Sequence, residues 1–241
     1  MTGLLELAHV SKSFSGLRAV EDVSFAVPEG QIVGLIGPNG AGKTTCFNVV
    51  AGVYRPDAGE VRFAGKRIDG WRPDQICRAG VGRTFQLVKP FVGLSVMENV
   101  IVGALNASTN VREAREKSRR IIEQLGLAAK RDQAASSLTL PERKCLEVAR
   151  ALATGPRILL LDEVMAGLRP TEMDHMVSLF RELNTKLGLT ILLIEHVMRA
   201  VMALSSRIVV LHHGEVIAVG TPAEVTRNPA VLECYLGGEA V

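Results

Sequence analysis

A glycine-rich segment, GPNGAGKTT at 37–45, directly follows the apolar run QIVGLI at 31–36. The segment fits the pattern Gly-x-x-x-x-Gly-Lys-Ser/Thr, which cradles phosphate groups where a buried strand passes into a helix. The apolar run predicts that strand, and residues 43–51 predict the helix. Backbone N–H groups and the positive end of the helix then converge on one point, where an anion is stabilised. The chain must therefore fold so that a strand, this loop and a helix follow one another.

Each residue type in the segment has a chemical reason to be there. The glycines let the backbone wrap around phosphate oxygens without a Cβ clash. The lysine is predicted to reach the β and γ phosphates. The first threonine is predicted to offer its hydroxyl oxygen to Mg²⁺, and the second to bond near the α phosphate. The predicted nucleotide-binding residues are Gly37, Pro38, Asn39, Gly40, Ala41, Gly42, Lys43, Thr44 and Thr45.

A pair of acids follows a second buried run further along the chain. The run ILLLD, at Ile158–Asp162, is apolar up to its last residue, and Glu163 comes directly after it. Asp162 is predicted to hold Mg²⁺ through water. Glu163 is predicted to accept a proton from the water that attacks the γ phosphate, which is the task of a general base.

Apolar runs of strand length alternate with amphipathic helical segments, which is typical of an α/β fold. Four runs are too apolar to have a solvent-facing side, so they predict a mainly parallel sheet covered on both faces; they lie at 31–36, 158–162, 190–195 and 207–211. Three earlier runs, at 4–10, 20–27 and 60–65, alternate more closely and predict a smaller antiparallel sheet. The prediction is a single domain over 1–241, with the nucleotide-binding core and antiparallel β subdomain at 1–94 and 154–241 and a helical subdomain inserted at 95–153.

Composition and charge argue against several other kinds of protein. The 241 residues have a mean hydropathy of +0.22, yet no apolar stretch approaches the roughly 18 residues that cross a membrane. The N-terminus lacks the basic segment and long apolar stretch of a secretory signal, so a cytosolic chain is expected. The formal net charge of +3 is small and dispersed, which argues against nucleic acid as a partner.

Together with three further motifs, these features resemble the nucleotide-binding subunit of ABC transporters over essentially the whole chain. The resemblance implies a P-loop NTPase of the ABC ATPase type, with ATP and Mg²⁺ as cofactors. Gln86 in GRTFQ corresponds to a lid glutamine that senses Mg²⁺ and the γ phosphate. His196 in IEHVM corresponds to a switch histidine that contacts the γ phosphate and orients the attacking water. Phe14 takes the aromatic position that stacks on adenine, and Val20 packs nearby.

The sequence departs from this family at two places. The family's signature loop, normally LSGGQ, aligns with LTLPE at 138–142. In the family this loop closes over the ATP of a second subunit through a serine hydroxyl and glycine N–H groups. Thr139 and Glu142 are the predicted contacts, but leucine and proline replace both glycines, and proline has no N–H to donate. Arg169 stands where many members carry an acid. We therefore expect nucleotide binding to be retained and contacts to the γ phosphate to be fewer.

A narrower resemblance concerns the transported molecule. The segment around GRTFQ, the stretch LDEVMAGLRPTE and the ending NPAVLECYLGG are similar to one of the two ATPase subunits of branched-chain amino acid importers. This implies ATP hydrolysis coupled to import of branched-chain or hydrophobic amino acids. The implied partners are transmembrane permease subunits, a second ATPase subunit that is identical or a sister chain, and indirectly a solute-binding protein. The implied location is peripheral, at the cytoplasmic face of the inner or plasma membrane.

The resemblance also implies how such a subunit works. Two subunits sandwich two ATP molecules, and their closure moves the permease. The predicted permease contact lies at 85–100 and contains Phe85, Leu87, Phe91 and Leu94. An ordinary core position between the lobes is the alternative for each of these side chains.

Other functions stay open at this point. A urea or amide importer shares much of the pattern, and a lipid or lipopolysaccharide exporter is close in sequence class. A permease-free ABC ATPase is disfavoured, because repair members insert a long coiled coil and translation factors carry two ATPase modules in one chain. A nucleotide-regulated binding module with weak hydrolysis is the alternative that Pro141 favours.

Overall fold

Two β-sheets and the helices packed on them account for most of the described residues, which are 3–85 and 89–236. The architecture is that of a computed structural model. The strands are β1 (Leu5–Phe14), β2 (Leu17–Val27), β3 (Ile32–Ile36), β4 (Ala58–Phe63), β5 (Lys66–Arg67), β6 (Val81–Arg83), β7 (Ile158–Asp162), β8 (Thr190–Ile194), β9 (Arg207–His212) and β10 (Glu215–Gly220). The helices are α1 (Lys43–Val50), α2 (Pro73–Ala79), α3 (Val96–Ala104), α4 (Val111–Gln124), α5 (Leu140–Ala153), α6 (Pro170–Leu187), α7 (Met198–Leu204), α8 (Pro222–Val225) and α9 (Pro229–Leu236), with 3₁₀ turns at Ala128–Lys130 and Ala135–Ser137.

The larger sheet has the strand order β10-β9-β3-β8-β7-β6. Its neighbouring strands are parallel except for the antiparallel pair of β9 and β10. Successive side chains alternate between two apolar cores, so that Val33 and Leu35 enter one while Ile32 and Ile36 enter the other. Every residue of β3, β7 and β8 is buried. The predicted parallel sheet, covered on both faces, is confirmed.

The smaller sheet is antiparallel, in the order β2-β1-β4-β5, and shares an apolar core with α1 and one face of the larger sheet. Ser15 and Gly16 join β1 to β2 with φ angles of 47° and 88°, a pair of positive values that suits a tight hairpin. Burial alternates in the first part of β1 and in the last part of β2, and the alternation fades toward the hairpin turn. Both strands therefore extend beyond the predicted runs, because their backbone pairing continues up to the turn.

Between β6 and β7, the described residues form the helices α3, α4 and α5 and two 3₁₀ turns. Helix α3 packs against both α4 and α5, and their buried side chains join one face of the larger sheet in a single core. In α4 the buried positions Ala114, Ser118 and Ile122 form one stripe, and the charged residues lie on the remaining surface. Among the described helices, none combines the length and apolar character that a membrane crossing requires. The division into a core and a helical subdomain at 95–153 stays a prediction.

The short strand β6 escapes prediction from sequence. It has only three residues, one of them glycine, and no apolar run marks it. Its strand geometry comes from parallel pairing with β7, in which Val81 pairs with Ile158 and Arg83 with Leu160. This pairing brings Arg83 to the same edge of the sheet as the acid pair.

A buried asparagine fixes the segment that leads into α3. Asn99 is fully buried. Its Oδ1 accepts the N–H of Phe91 at 2.9 Å, and its Nδ2 donates to the carbonyls of Phe91 at 3.1 Å and Ser95 at 2.9 Å. The Asn99 side chain therefore gives the N–H of Phe91 its acceptor and adds a second donor to two carbonyls that also accept backbone N–H groups of the turn.

Replacing Asn99 with alanine is expected to lower the free energy of unfolding by about 1–3 kcal/mol, because the N–H of Phe91 loses its acceptor and the buried side-chain hydrogen bonds of the turn are lost. Chemical denaturation followed by circular dichroism measures the change. Asn106→Ala is the control, since the Asn106 side chain has no hydrogen bond to a described residue. Equal losses in the two variants would contradict the structural role of Asn99.

Candidate nucleotide-binding site

The glycine-rich loop leaves β3 and enters α1, as predicted, with Lys43 at the junction. The side chain is only 6% exposed. Its Nζ donates to the carbonyl oxygens of Gly37 at 2.7 Å and Pro38 at 2.8 Å. Burial lowers the pKa of Lys43, and the nearby carboxylates of Glu163 and Asp162 oppose that shift. The ammonium group is thus held by the loop, within electrostatic reach of the acid pair.

Two glycines of the loop stand where no side chain fits. Gly42 has φ of 100°, and a Cβ there would lie 2.4 Å from the carbonyl oxygen of Ala19. A Cβ on Gly37 would lie 2.0 Å from the carbonyl oxygen of Leu211. The loop is therefore pressed against the backbones of β2 and β9. The same packing places the buried side chain of Val20 against Gly42, with 3.3 Å between Val20 Cγ2 and the Cβ position.

The other predicted residues of the loop differ in exposure. Asn39 and Gly40 form an exposed tip, whereas Ala41 is buried. Thr44 is exposed and Thr45 half-buried in the first turn of α1. The structure therefore brings the glycine-rich residues and both threonines together at one end of the helix.

Asp162 ends β7 and is almost completely buried, at 1% exposed. Its Oδ2 accepts a hydrogen bond from Arg83 Nη2 at 3.3 Å. Its Oδ1 is buried and has no hydrogen-bond partner among the described residues. Burial raises the pKa of Asp162, and the positive charge of Arg83 opposes the rise. One carboxylate oxygen is therefore left for a ligand.

Glu163 and His196 meet at the ends of two neighbouring strands. Glu163 Oε1 and His196 Nε2 lie 2.7 Å apart. The backbone of Glu163 has φ of 51°, a left-handed value that is uncommon for residues other than glycine. Its N–H donates to the carbonyl of Ile194 at 2.9 Å, which ties this turn to the end of β8. The predicted general base and switch histidine are therefore in direct contact.

Behind the acid pair lie two buried charged residues that sequence reasoning did not select. Lys144 Nζ, from α5, donates to the backbone carbonyl of Glu163 at 3.0 Å. Burial lowers the pKa of Lys144. Glu195 accepts the N–H of Met165 at 2.8 Å, and burial raises the pKa of Glu195 to about 7. The signal in the sequence that could have indicated both residues is a charged residue inside an otherwise apolar helical or strand segment.

Two predicted residues are not joined to this cluster. Phe14 is 38% exposed, and its ring packs edge-on against Tyr54 with 4.9 Å between centroids. Among the described residues, no hydrogen bond or ring contact connects Phe14 with 37–45. Gln86 lies outside the described residues, so its role as a lid and metal-sensing residue stays a prediction.

The signature segment forms the N-terminus of α5. The N–H of Thr139 donates to Glu142 Oε2 at 2.8 Å, and Glu142 also pairs with Lys130 at 3.7 Å. The proline of this segment lies in the first helical turn, where its missing N–H has no intrahelical partner in any case. At the second departure, Arg169 pairs with Glu172 in the first turn of α6. The first turns of α5 and α6 therefore accommodate the two departures from the family's sequence pattern.

Comparison with known proteins decides the family. Residues 20–166 match the family described as ABC transporter. The chain belongs to the ABC transporter family. Residues 215–241 also match the family described as branched-chain amino acid ATP-binding cassette transporter. The chain is thus an ABC ATPase, a nucleotide-binding subunit of the kind that hydrolyses ATP in transport.

Relatives of this ABC cassette match it over nearly their whole length. The high-affinity branched-chain amino acid transport ATP-binding protein BraF of Pseudomonas aeruginosa is 40% identical, covering 97% of this chain and 98% of the relative. The lipopolysaccharide export system ATP-binding protein LptB of Acidithiobacillus ferridurans is 35% identical, covering 99% of each chain. The crystal structure of the ADP conformation of an ATP-binding cassette of an ABC transporter has a TM-score of 0.89 at 31% identity, covering 98% of this chain and 100% of that one. Fold class and family membership are therefore confirmed.

The buried Glu195 is expected to make this cassette less stable as pH rises. Burial raises the pKa of Glu195 from 4.5 to about 7, so between these values the folded chain keeps a proton that the unfolded chain releases. The free energy of unfolding should fall by roughly 3 kcal/mol at most across that interval. Denaturation at pH 5 and pH 8 measures the slope.

Glu195→Gln, which keeps an oxygen for the N–H of Met165, should reduce this slope. The control Glu182→Gln removes a half-exposed carboxylate that pairs with Lys186 on the surface of α6, and it should retain the slope. The same slope in both variants would show that Glu195 is not its source.

Proposed function

We propose that this ABC ATPase powers a membrane importer of branched-chain or other hydrophobic amino acids. One observation supports the catalytic part of the proposal: the phosphate loop, Asp162 and the Glu163–His196 pair all lie at one edge of the larger sheet. The match of 215–241 to branched-chain amino acid cassettes and the 40% identity to BraF support the substrate.

The residues of the loop would bind the phosphates of ATP. The N–H groups at 37–45 would surround the phosphate oxygens, and Lys43 would exchange its two loop carbonyls for β and γ oxygens. Thr45 would bond near the α phosphate. The half-exposed ring of Phe14 would stack on adenine, with Val20 beside it.

The residues at the acid pair fit Mg²⁺. The buried Oδ1 of Asp162, which has no hydrogen-bond partner among the described residues, and the exposed Thr44 hydroxyl are hard oxygen donors of the kind this ion prefers. Thr44 would bind the ion directly and Asp162 through water, and Gln86 is the further predicted ligand. Bound there, the ion would neutralise charge on the β and γ phosphates.

Glu163 would take the proton of the attacking water. The 2.7 Å contact with His196 orients its carboxylate, and the hydrogen bond from its N–H to Ile194 fixes its backbone. His196 is half exposed, so its ring would also reach the γ phosphate. A preorganised base of this kind contributes about 10²–10⁴-fold to a rate.

A second ATPase subunit, identical or a sister chain, would complete the site. Thr139 lies at the exposed start of α5, where its hydroxyl would meet the nucleotide held by the partner. Glu142 stays a predicted contact as well, although its carboxylate already accepts the N–H of Thr139. ATP would favour the closed pair because its γ phosphate contacts both chains, whereas ADP lacks that group.

The permease would bind at 85–100, and this contact would hold the subunit at the cytoplasmic face of the membrane. Phe85 is 58% exposed and Phe91 44% exposed, whereas Leu94 is half-buried. Leu87 lies outside the described residues. Exposed aromatic side chains favour a protein contact over an ordinary core position. The solute-binding protein would act through the permease.

Glu163→Gln is expected to retain ATP binding while hydrolysis falls about 100-fold or more, because the attacking water loses its base. Phosphate release and equilibrium binding of ATP by the purified chain measure the two properties. Glu215→Gln, which neutralises an exposed glutamate at the start of β10, is the control. Undiminished turnover in Glu163→Gln would remove Glu163 from its proposed role.

Uptake by cells that lack this chain tests the substrate. Leucine uptake should fall at least tenfold and return with the wild-type chain but not with Glu163→Gln. Normal leucine uptake would contradict amino-acid import. Loss of urea uptake instead would assign an amide importer, and loss of surface lipopolysaccharide would assign the exporter function named for LptB.

A further inference from the structure

A cavity of about 710 Å³ lies at the edge of the larger sheet opposite the candidate nucleotide-binding site. Its wall combines α4 with the two turns that lead into β7 and β8. Arg157 directly precedes β7 and Leu189 directly precedes β8, whereas the acid pair and His196 lie at the far ends of these two strands. The cavity is therefore separate from the residues proposed to bind and hydrolyse ATP.

Much of the cavity wall is aliphatic. Leu152 and Leu189 line it and are 7% and 5% exposed, and Ile121 from α4 is half-buried. Leu187, the last residue of α6, also lines the cavity and is 59% exposed. A ligand with an aliphatic body would remove this surface from water, which is favourable in proportion to the apolar area that is covered.

Two cations of α4 line the same cavity. Lys117 and Arg120 lie three residues apart, on one face of the helix. Neither makes a hydrogen bond or an ion pair with another described residue. Lys117 is half-buried, and its Nζ would lie 3.1 Å from a Cβ placed on Gly155, so the ammonium group reaches the turn before β7. Burial lowers the pKa of Lys117. A ligand that supplies an anionic group would relieve this desolvation.

The acids of the wall, by contrast, are already engaged. The three carboxylates each have a partner: Glu29 with Arg157 at 2.7 Å, Glu113 with the hydroxyl of Ser108 at 2.9 Å, and Glu116 with Arg119 at 3.2 Å. The charge left for a ligand is therefore positive. The same three acids would repel a ligand that carries several negative charges, such as a polyphosphate. The wall thus favours a ligand with one negative charge and an aliphatic body.

We propose that this cavity binds an aliphatic monocarboxylate, whose carboxylate pairs with Lys117 and Arg120 and whose chain covers the leucines of the wall. Charge-assisted hydrogen bonds of this kind are among the strong ones in proteins. The inference concerns a second ligand site and does not depend on the proposed function.

A fatty acid and an aliphatic amino acid such as leucine share the required chemistry. Leucine also carries an ammonium group, for which the wall leaves no unengaged acid. A fatty acid is therefore expected to bind more tightly than leucine.

Three variants test the contact with the carboxylate. Lys117→Met keeps an unbranched aliphatic side chain but removes the charge. Arg120→Gln removes the second charge. Arg115→Gln is the matched control, since it removes a positive charge from an exposed position of α4 that does not line the cavity.

Isothermal titration calorimetry of the purified chain with octanoate measures binding. A dissociation constant of about 1 mM or lower is expected for the wild-type chain. Lys117→Met should weaken binding about tenfold, since one charge-assisted hydrogen bond is lost. The exposed Arg120 should contribute less, so Arg120→Gln should weaken binding about threefold. Arg115→Gln should bind octanoate as the wild-type chain does, and circular dichroism of each variant confirms that it is folded.

Two further ligands and ATP complete the experiment. The uncharged 1-octanol, which has the same chain length, should bind about tenfold more weakly than octanoate because it lacks the carboxylate. Leucine should also bind more weakly than octanoate. Saturating ATP should not displace octanoate, because the two sites lie at opposite ends of β7 and β8.

The contrary results each overturn a stated part of the proposal. Equal binding of octanoate by the wild-type chain and Lys117→Met, or equal binding of octanoate and 1-octanol, would refute the carboxylate contact. Displacement of octanoate by ATP would refute a separate site. Tighter binding of leucine than of octanoate, lost in Lys117→Met, would support the carboxylate contact and contradict the preference for a fatty acid. No binding of octanoate or leucine would refute the site, while ATP hydrolysis and leucine uptake would still test the proposed function independently.

Discussion

Parallel pairing of β3, β8 and β7 is the constraint on which the site depends. Because the carboxyl ends of parallel strands lie at one edge of a sheet, the loop after β3, the acids at the end of β7 and the histidine after β8 meet there. None of these three segments carries by itself all the groups that the proposed ATP hydrolysis requires. The sheet also supplies a condition for that chemistry: its strands are buried on both faces, and Asp162 at the end of β7 is buried with them.

Burial of charge is the second physical theme of this edge. Lys43, Lys144, Glu147, Asp162 and Glu195 are all at most 6% exposed. Desolvation works against each charged form, which is why the pKa values of the two lysines fall and those of the three acids rise. Hydrogen bonds to backbone groups offset part of this cost for the lysines, Glu147 and Glu195. Buried groups of this kind hold the phosphate loop, the acid pair and α5 in fixed relation.

The sequence predicted those parts of the fold in which the pattern is local. The strands β3, β7, β8 and β9 were predicted to within about one residue, because long apolar runs leave few alternatives. The three-residue strand β6 has no such run and depends on pairing with a distant segment. The hairpin of β1 and β2 extends beyond its apolar pattern for the same reason.

Sequence alone determined the phosphate loop, the acid pair, the family and the residues proposed for ATP. These are short motifs whose chemistry depends on residue type and spacing. Tertiary structure decided which groups accompany them: His196 contacts Glu163, Lys144 holds the backbone of Glu163, and one oxygen each of Asp162 and Glu147 is buried without a partner in the part of the chain that the structure describes. These contacts depend on strand order and on helix packing between segments that are far apart in the chain. The burial that shifts the pKa values of the charged groups likewise exists only in the folded structure, whereas residue type is fixed by the sequence.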